Sequence, residues 1–113
     1  MSYKRGDVVL VPFPFTDLST TKQRPALVVS SDVYNSSHDD LIIVAITGQI
    51  PATLSTNQYA IPQDELGHCG LLKPSLIKLS KILTLHQQLV IQRLGSLPPS
   101  EMANVLSKIR QLF

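Results

Sequence analysis

Arg24 is the residue of this chain best placed to do chemistry. It follows a polar stretch, Thr16-Asp17-Leu18-Ser19-Thr20-Thr21-Lys22-Gln23, and it precedes Pro25. Proline pushes the residue before it toward extended backbone, so Arg24 stands at the mouth of the strand-like run from Pro25 to Ser31. A guanidinium held there, beside hydroxyls and amides, suits a phosphate, which it meets through a planar fork of donors. Thr47 is the second candidate. It closes the apolar run Leu41-Ile42-Ile43-Val44-Ala45-Ile46 and opens onto Gly48 and a polar loop that reaches Asn57. Each residue also has a purely structural reading: a surface ion pair of Arg24 with Asp7 or Asp17, and a turn cap for Thr47.

Other chemistries find little support. His38, His68 and His86 are scattered, and none stands at ligand spacing from another His, a Cys or paired carboxylates, so neither a metal nor another cofactor is expected. There is no Gly-rich phosphate loop and no G-x-S-x-G elbow. Cys69 is the single cysteine. It cannot form an internal disulfide, fits a reducing cytoplasm, and reads as a buried or loop thiol. No apolar run approaches the roughly 20 residues of a membrane span, and no signal-type segment follows Lys4 and Arg5, so the expected location is cytoplasmic with no membrane partner.

Ten Lys and Arg against eight Asp and Glu give a net charge of +2, too mild to mark a nucleic-acid binder. The placement is more informative. Lys22 and Arg24 lie together, and Lys73, Lys78 and Lys81 share a segment with no acid among them. A fold that joins these segments makes a local basic groove; taken singly, each lysine reads as solubilising surface charge.

The elements that must position these groups can be read from hydrophobic periodicity. With 113 residues, one domain spanning 1–113 is expected. Strand-like runs fall at Asp7 to Phe13, Pro25 to Ser31, Leu41 to Thr47, Gln58 to Ile61, Gly70 to Pro74 and Leu76 to Leu83. The first three are continuously apolar, as strands buried on both faces are. Close spacing without a βαβ rhythm predicts a small antiparallel barrel. Pro98-Pro99-Ser100-Glu101 opens a C-terminal helix, whose apolar face is Met102, Val105, Leu106, Ile109, Leu112 and Phe113. A helical turn is expected within Leu85 to Leu94. The stretch from Pro14 to Gln23 is expected to be a mobile flap beside Arg24, and the loop from Gly48 to Asn57 to open from the same end, so that the two line a groove.

The order of these motifs resembles the MazF/PemK family of toxin endoribonucleases. A Gly6-Asp7 strand, a polar loop, an Arg24-Pro25 strand and an apolar strand ending in Thr47 match in sequence, and the likeness continues through Gly70-Leu71-Leu72-Lys73-Pro74-Ser75 to the last helix. The resemblance implies a mainly β fold, an SH3-like antiparallel barrel of the MazF/PemK and CcdB-like type with a C-terminal helix. It implies a metal-independent, sequence-selective endoribonuclease acting on single-stranded RNA, with messenger RNA as the natural pool, as the toxin of a toxin–antitoxin pair. Attack by the RNA 2′-hydroxyl would leave a 2′,3′-cyclic phosphate. Arg24 and Thr47 fall on the family's catalytic positions. Lys22, Gln23, Thr16, Ser19, Thr20, Lys78 and Ser80 would contact RNA. A homodimer is implied, as is a cognate antitoxin whose acidic segment fills the RNA groove. Some members carry an acid two residues after the basic position of the strand that follows the Lys73-Pro74-Ser75 motif, where this chain has Lys78-Leu79-Ser80. Two alternatives share the barrel: a non-enzymatic toxin resembling the gyrase poisons, and a module that only binds RNA. Aromatic content of 5% with no Trp speaks against a broad base-stacking platform.

Overall fold

The computed structural model describes residues 3–14 and 21–113. Among these residues six strands form one sheet: β1 (Asp7–Pro14), β2 (Thr21–Val28), β3 (Asp40–Thr47), β4 (Gln58–Ala60), β5 (Leu76–His86) and β6 (Gln92–Ser96). Their order is β4-β5-β3-β2-β1-β6, and every neighbouring pair is antiparallel. Two helices accompany them, α1 (Asp32–Ser37) and α2 (Pro99–Arg110). The expected mainly β architecture with a C-terminal helix is present. The barrel is an open one, since no ladder among the described residues joins β4 to β6.

Alternation along the strands sorts the core into two layers. Val8, Leu27, Val44, Ile46, Ile77 and Leu79 join Met102 and Val105 of α2 on one face. Val9, Val11, Ala26, Val28, Leu41 and Ile43 form a second cluster with Leu85 on the other. Burial on both faces explains why these strands show no polar alternation. Leu106 and Ile109 complete the packed side of α2. Leu112 and Phe113, expected on that same face, lie beyond the helix and are exposed, Phe113 at 94%.

Several boundaries depart from the sequence reading. β2 begins at Thr21, so Lys22 and Gln23 are strand residues paired with Phe13 and Pro12 rather than part of a loop. It ends at Val28, because Ser31 caps α1 by accepting from the Tyr34 N–H at 3.1 Å, an N-cap the sequence reading passed over. Gly70 to Pro74 is not a strand: Gly70 has φ +71, which no strand admits. The helical turn expected within Leu85 to Leu94 is present as the short 3-10 turn Gln87–Leu89, between the end of β5 and the start of β6.

Asp7 and Cys69 are among the groups that lie inside the core. Asp7 accepts from the Lys4 N–H at 2.9 Å and from Arg93 Nε at 3.0 Å, bonds that a buried carboxylate requires. Cys69 is fully buried and its thiol donates to the Ser96 carbonyl at 3.6 Å. Burial, aided by the negative charge of Glu65, pushes this thiol up to about 11. The thiolate is the reactive form, so at pH 8 Cys69 is expected to resist iodoacetamide in the folded protein and to alkylate readily in denaturant. Equal labelling rates in the two conditions would contradict this burial.

Candidate nucleic-acid interface

The register of the central strands collects the basic side chains. β2 pairs with β3 through Ala26↔Ala45, Leu27↔Val44 and Val28↔Ile43. Continued by two residues, this register sets Arg24 across from Thr47. β5 places Lys78 across from Ala45 on one side and across from Gln58 of β4 on the other. Directly opposed residues share a face, and so do residues two apart on one strand. Lys22, Arg24, Thr47, Gln58 and Lys78 therefore all belong to the face of Ala26 and Ala45. Gln23, of opposite parity, belongs to the other face. The printed ladder between β2 and β3 stops at Ala26 and Ala45, which leaves Arg24 and Thr47 at its open end.

The turn-capping reading of Thr47 is present in the structure. Its Oγ1 accepts from the Gln49 N–H at 3.2 Å, which caps the turn after β3. Its own proton remains to be donated outward, because a hydroxyl that accepts one bond still carries a donor. Asp7, considered as an ion partner for Arg24, holds Lys4 and Arg93 instead and lies four residues from Val11, the residue facing Arg24. At strand rise that is about 13 Å.

Two further groups join these residues. Lys73 lies over Gly48: a Cβ built on Gly48 would stand 2.4 Å from Lys73 Cε and 3.0 Å from Nζ. The bare backbone of Gly48 thus lets an ammonium come down beside Thr47. The turn that delivers it is tied by the buried Ser75, whose hydroxyl donates to the Lys73 carbonyl at 2.9 Å. The second group is a groove of about 360 Å³ lined by Thr47, Gln49, Ile50, Pro51, Gln58 and Lys78. Neither Lys73 nor Gln58 was among the expected site residues. Gln58 follows the polar run Ser55-Thr56-Asn57 and opens a short strand, and sequence alone gives no reason to single it out. Lys73 belonged to the acid-free basic segment, and that was its one signal.

The remaining candidates sort as follows. Ser80 accepts from Asn57 Nδ2 at 3.0 Å and so holds the end of the loop that flanks the groove. Thr16, Ser19 and Thr20, with most of the expected flap, lie outside the described residues. His86 faces Asp40 at the far end of β3, seven residues or about 23 Å from Thr47. His68 bonds Glu65 at 2.9 Å. Among the described residues no three of His, Cys, Asp and Glu gather as a metal site, and no helix is long and apolar enough to cross a membrane.

A family model described as the PemK-like, MazF-like toxin of type II toxin–antitoxin systems matches residues 4–113. The chain belongs to this family. The fold agrees with that membership at low sequence identity. A mycobacterial endoribonuclease solved with its cognate antitoxin superimposes with a TM-score of 0.76 at 20% identity, over 97% of this chain and 93% of that one. MazF of Deinococcus radiodurans gives 0.77 at 21%, over 99% and 96%, and a MazE–MazF complex of the same organism gives 0.76 at 19%, over 99% and 96%. No curated protein matches the chain by sequence. For a PemK-like toxin, the basic face around Thr47 is the part of this sheet suited to a polyanion.

Proposed function

We propose that this PemK-like chain is a metal-independent, sequence-selective endoribonuclease that cleaves single-stranded RNA, messenger RNA included, as the cytoplasmic toxin of a toxin–antitoxin pair. The observation that carries the reading is the shared face: Arg24, Thr47 and Lys78 converge at the open end of the β2–β3 ladder, with Lys73 laid over Gly48 beside them. One guanidinium, two ammonium groups and a hydroxyl form a track for successive phosphates.

In this reading the RNA supplies its own nucleophile. The 2′-oxygen bonds to the adjacent phosphorus and loses its proton. The bond from phosphorus to the 5′-oxygen breaks, and that oxygen takes up a proton. The products carry a 2′,3′-cyclic phosphate and a 5′-hydroxyl. Arg24 neutralises charge on the phosphoryl oxygens as it builds. Thr47 donates its free proton to one of those oxygens, while the Gln49 N–H keeps the hydroxyl aimed. Lys73 and Lys78 hold the flanking phosphates, which positions the reacting one. The homodimer and the antitoxin belong to the same reading, supported by related toxins solved with their antitoxins.

Incubation of the purified protein with a mixed single-stranded RNA in EDTA is the direct test. Discrete fragments are expected, with 3′ ends that phosphatase removes only after acid opens the cyclic phosphate. Cleavage that EDTA stops, or 3′-hydroxyl ends, would refute the mechanism. RNA bound but left intact would favour the RNA-binding module over the nuclease.

A further inference from the structure

The groove beside Thr47 holds a donor that the cleavage chemistry does not use. From its geometry we infer that Gln58 is a specificity-determining residue, reading one RNA base through that base's acceptor edge, with guanine the base selected. The inference rests on the RNA-cleaving reading above and adds to it a residue and a base.

The orientation of the Gln58 amide is fixed by the backbone. The side-chain Oε1 accepts from the Ser55 N–H at 3.0 Å, while the backbone N–H of Gln58 donates to the Ser55 carbonyl at 3.1 Å. A flipped amide would set its NH₂ against the Ser55 N–H, two donors face to face. The NH₂ group is therefore the end presented to the groove, and no described residue accepts from it.

The strand that carries Gln58 is held on both sides. Tyr59, of opposite parity, donates its hydroxyl to Glu101 of α2 and accepts from Asn104 at 3.4 Å. Burial raises the Tyr59 phenol above its ordinary range, and the bond to Glu101 raises it further. Asn57 bonds Ser80 and Ser55. A reading group needs such support, since a loosely held amide adapts to any base.

Lys78 stands directly opposite Gln58, with Cβ atoms about 5 Å apart by sheet geometry. The Lys78 ammonium carries three donors, so one can meet a base while the others hold a phosphate. Donors of Lys78 and Gln58 thus lie side by side, and Ile50 and Pro51 give the groove an apolar wall for the flat face of a base. Guanine presents two adjacent acceptors, O6 and N7. On that same edge adenine sets an amino donor beside its N7, cytosine presents an amino donor and uracil a single acceptor, O4, so guanine alone meets two donors there with two acceptors.

The test uses the full-length protein and a degenerate single-stranded RNA library, with the cut ends sequenced. Wild-type cuts are expected to be enriched for guanine at one fixed position by about tenfold. Gln58→Glu keeps an oxygen for Ser55 and turns the groove-side donor into an acceptor. Its preference at that position should move to cytosine or adenine while other positions stay unchanged. Gln58→Leu should lose the preference there. A merely structural Gln58 would slow cutting and leave the consensus alone. A measurement on the wild-type protein needs no variant to fold: 7-deazaguanine at the selected position should slow cleavage several-fold. Cutting with no guanine preference, with an unmoved consensus in both variants, or with equal rates on the deaza substrate overturns this inference only. No cutting by the wild type overturns it together with the nuclease reading.

Discussion

Arg24→Ala is expected to lower RNA cleavage by about 10²- to 10³-fold, the loss seen when a donor aimed at developing charge is removed, while the protein stays folded. Arg24 belongs to neither apolar cluster and stands where the β2–β3 ladder has opened, so its loss leaves no cavity. Its contribution should fall on the transition state, where charge on the phosphoryl oxygens rises. Single-turnover cleavage and a thermal melt separate the two effects. Arg24→Lys keeps the charge and loses the planar fork, and its rate should lie between the two. Thr47→Ala removes one neutral hydroxyl and should cost roughly fivefold, in keeping with a single hydrogen bond of about 1 kcal/mol. Near-wild-type cleavage by Arg24→Ala would remove Arg24 from the mechanism.

The parts of this site that the sequence made legible are those written in strand ends. Arg24 before Pro25, and Thr47 at the end of an apolar run, mark where two strands stop, and the antiparallel register then brings those ends together. The register itself is invisible in sequence, because it depends on which strand pairs with which. That is why Lys78 stood out from the other lysines only through the family resemblance, and why Gln58, its cross-strand partner, went unnoticed. Lys73 shows a different limit. Its approach to Thr47 depends on a missing side chain at Gly48 and on a turn tied by Ser75, neither of which leaves a periodic pattern.

The misread elements have a common physical origin. Gly70-Leu71-Leu72 looks like the start of a strand by hydropathy, yet Gly70 takes a positive φ and Leu72 is fully exposed. Leu85 to Leu94 looks helical through Leu85, Leu89 and Ile91 and does hold one 3-10 turn, yet tertiary pairing with β1 makes a strand from Gln92 onward. Local pattern lost to long-range contact in both places, and in both the contact is made by glycine.

That contact gives the largest expected change in stability. Gly95 of β6 stands across from Val8, and a Cβ there would lie 2.2 Å from the His68 carbonyl oxygen and 2.6 Å from the Cys69 carbonyl carbon. Gly70 meets β6 from the other side, its virtual Cβ 2.1 Å from the Leu94 oxygen. These neighbours are backbone atoms and cannot swing aside as a side-chain tip can. Nor is the segment free to lift. Ser96 N–H donates to the His68 carbonyl at 2.9 Å, and Cys69 N–H donates to Glu65 at 3.1 Å. Gly95→Ala must therefore separate β6 from the turn that carries Leu66 and Cys69 into the α2-side cluster. A cost of about 3 kcal/mol is expected, which for a chain this size lowers Tm by on the order of 10 °C. Gly67→Ala is the matched control, since a Cβ at Gly67 meets nothing within 4 Å, and its melt should stay near wild type. The basic face lies on the opposite side of the sheet from this contact. At a temperature where Gly95→Ala is still folded, its cleavage rate should equal that of the wild type, the converse of Arg24→Ala. A melt for Gly95→Ala within two or three degrees of wild type (roughly half a kcal/mol) would mean the turn yields without cost. Normal melting with lost cleavage would mean instead that β6 takes part in the site.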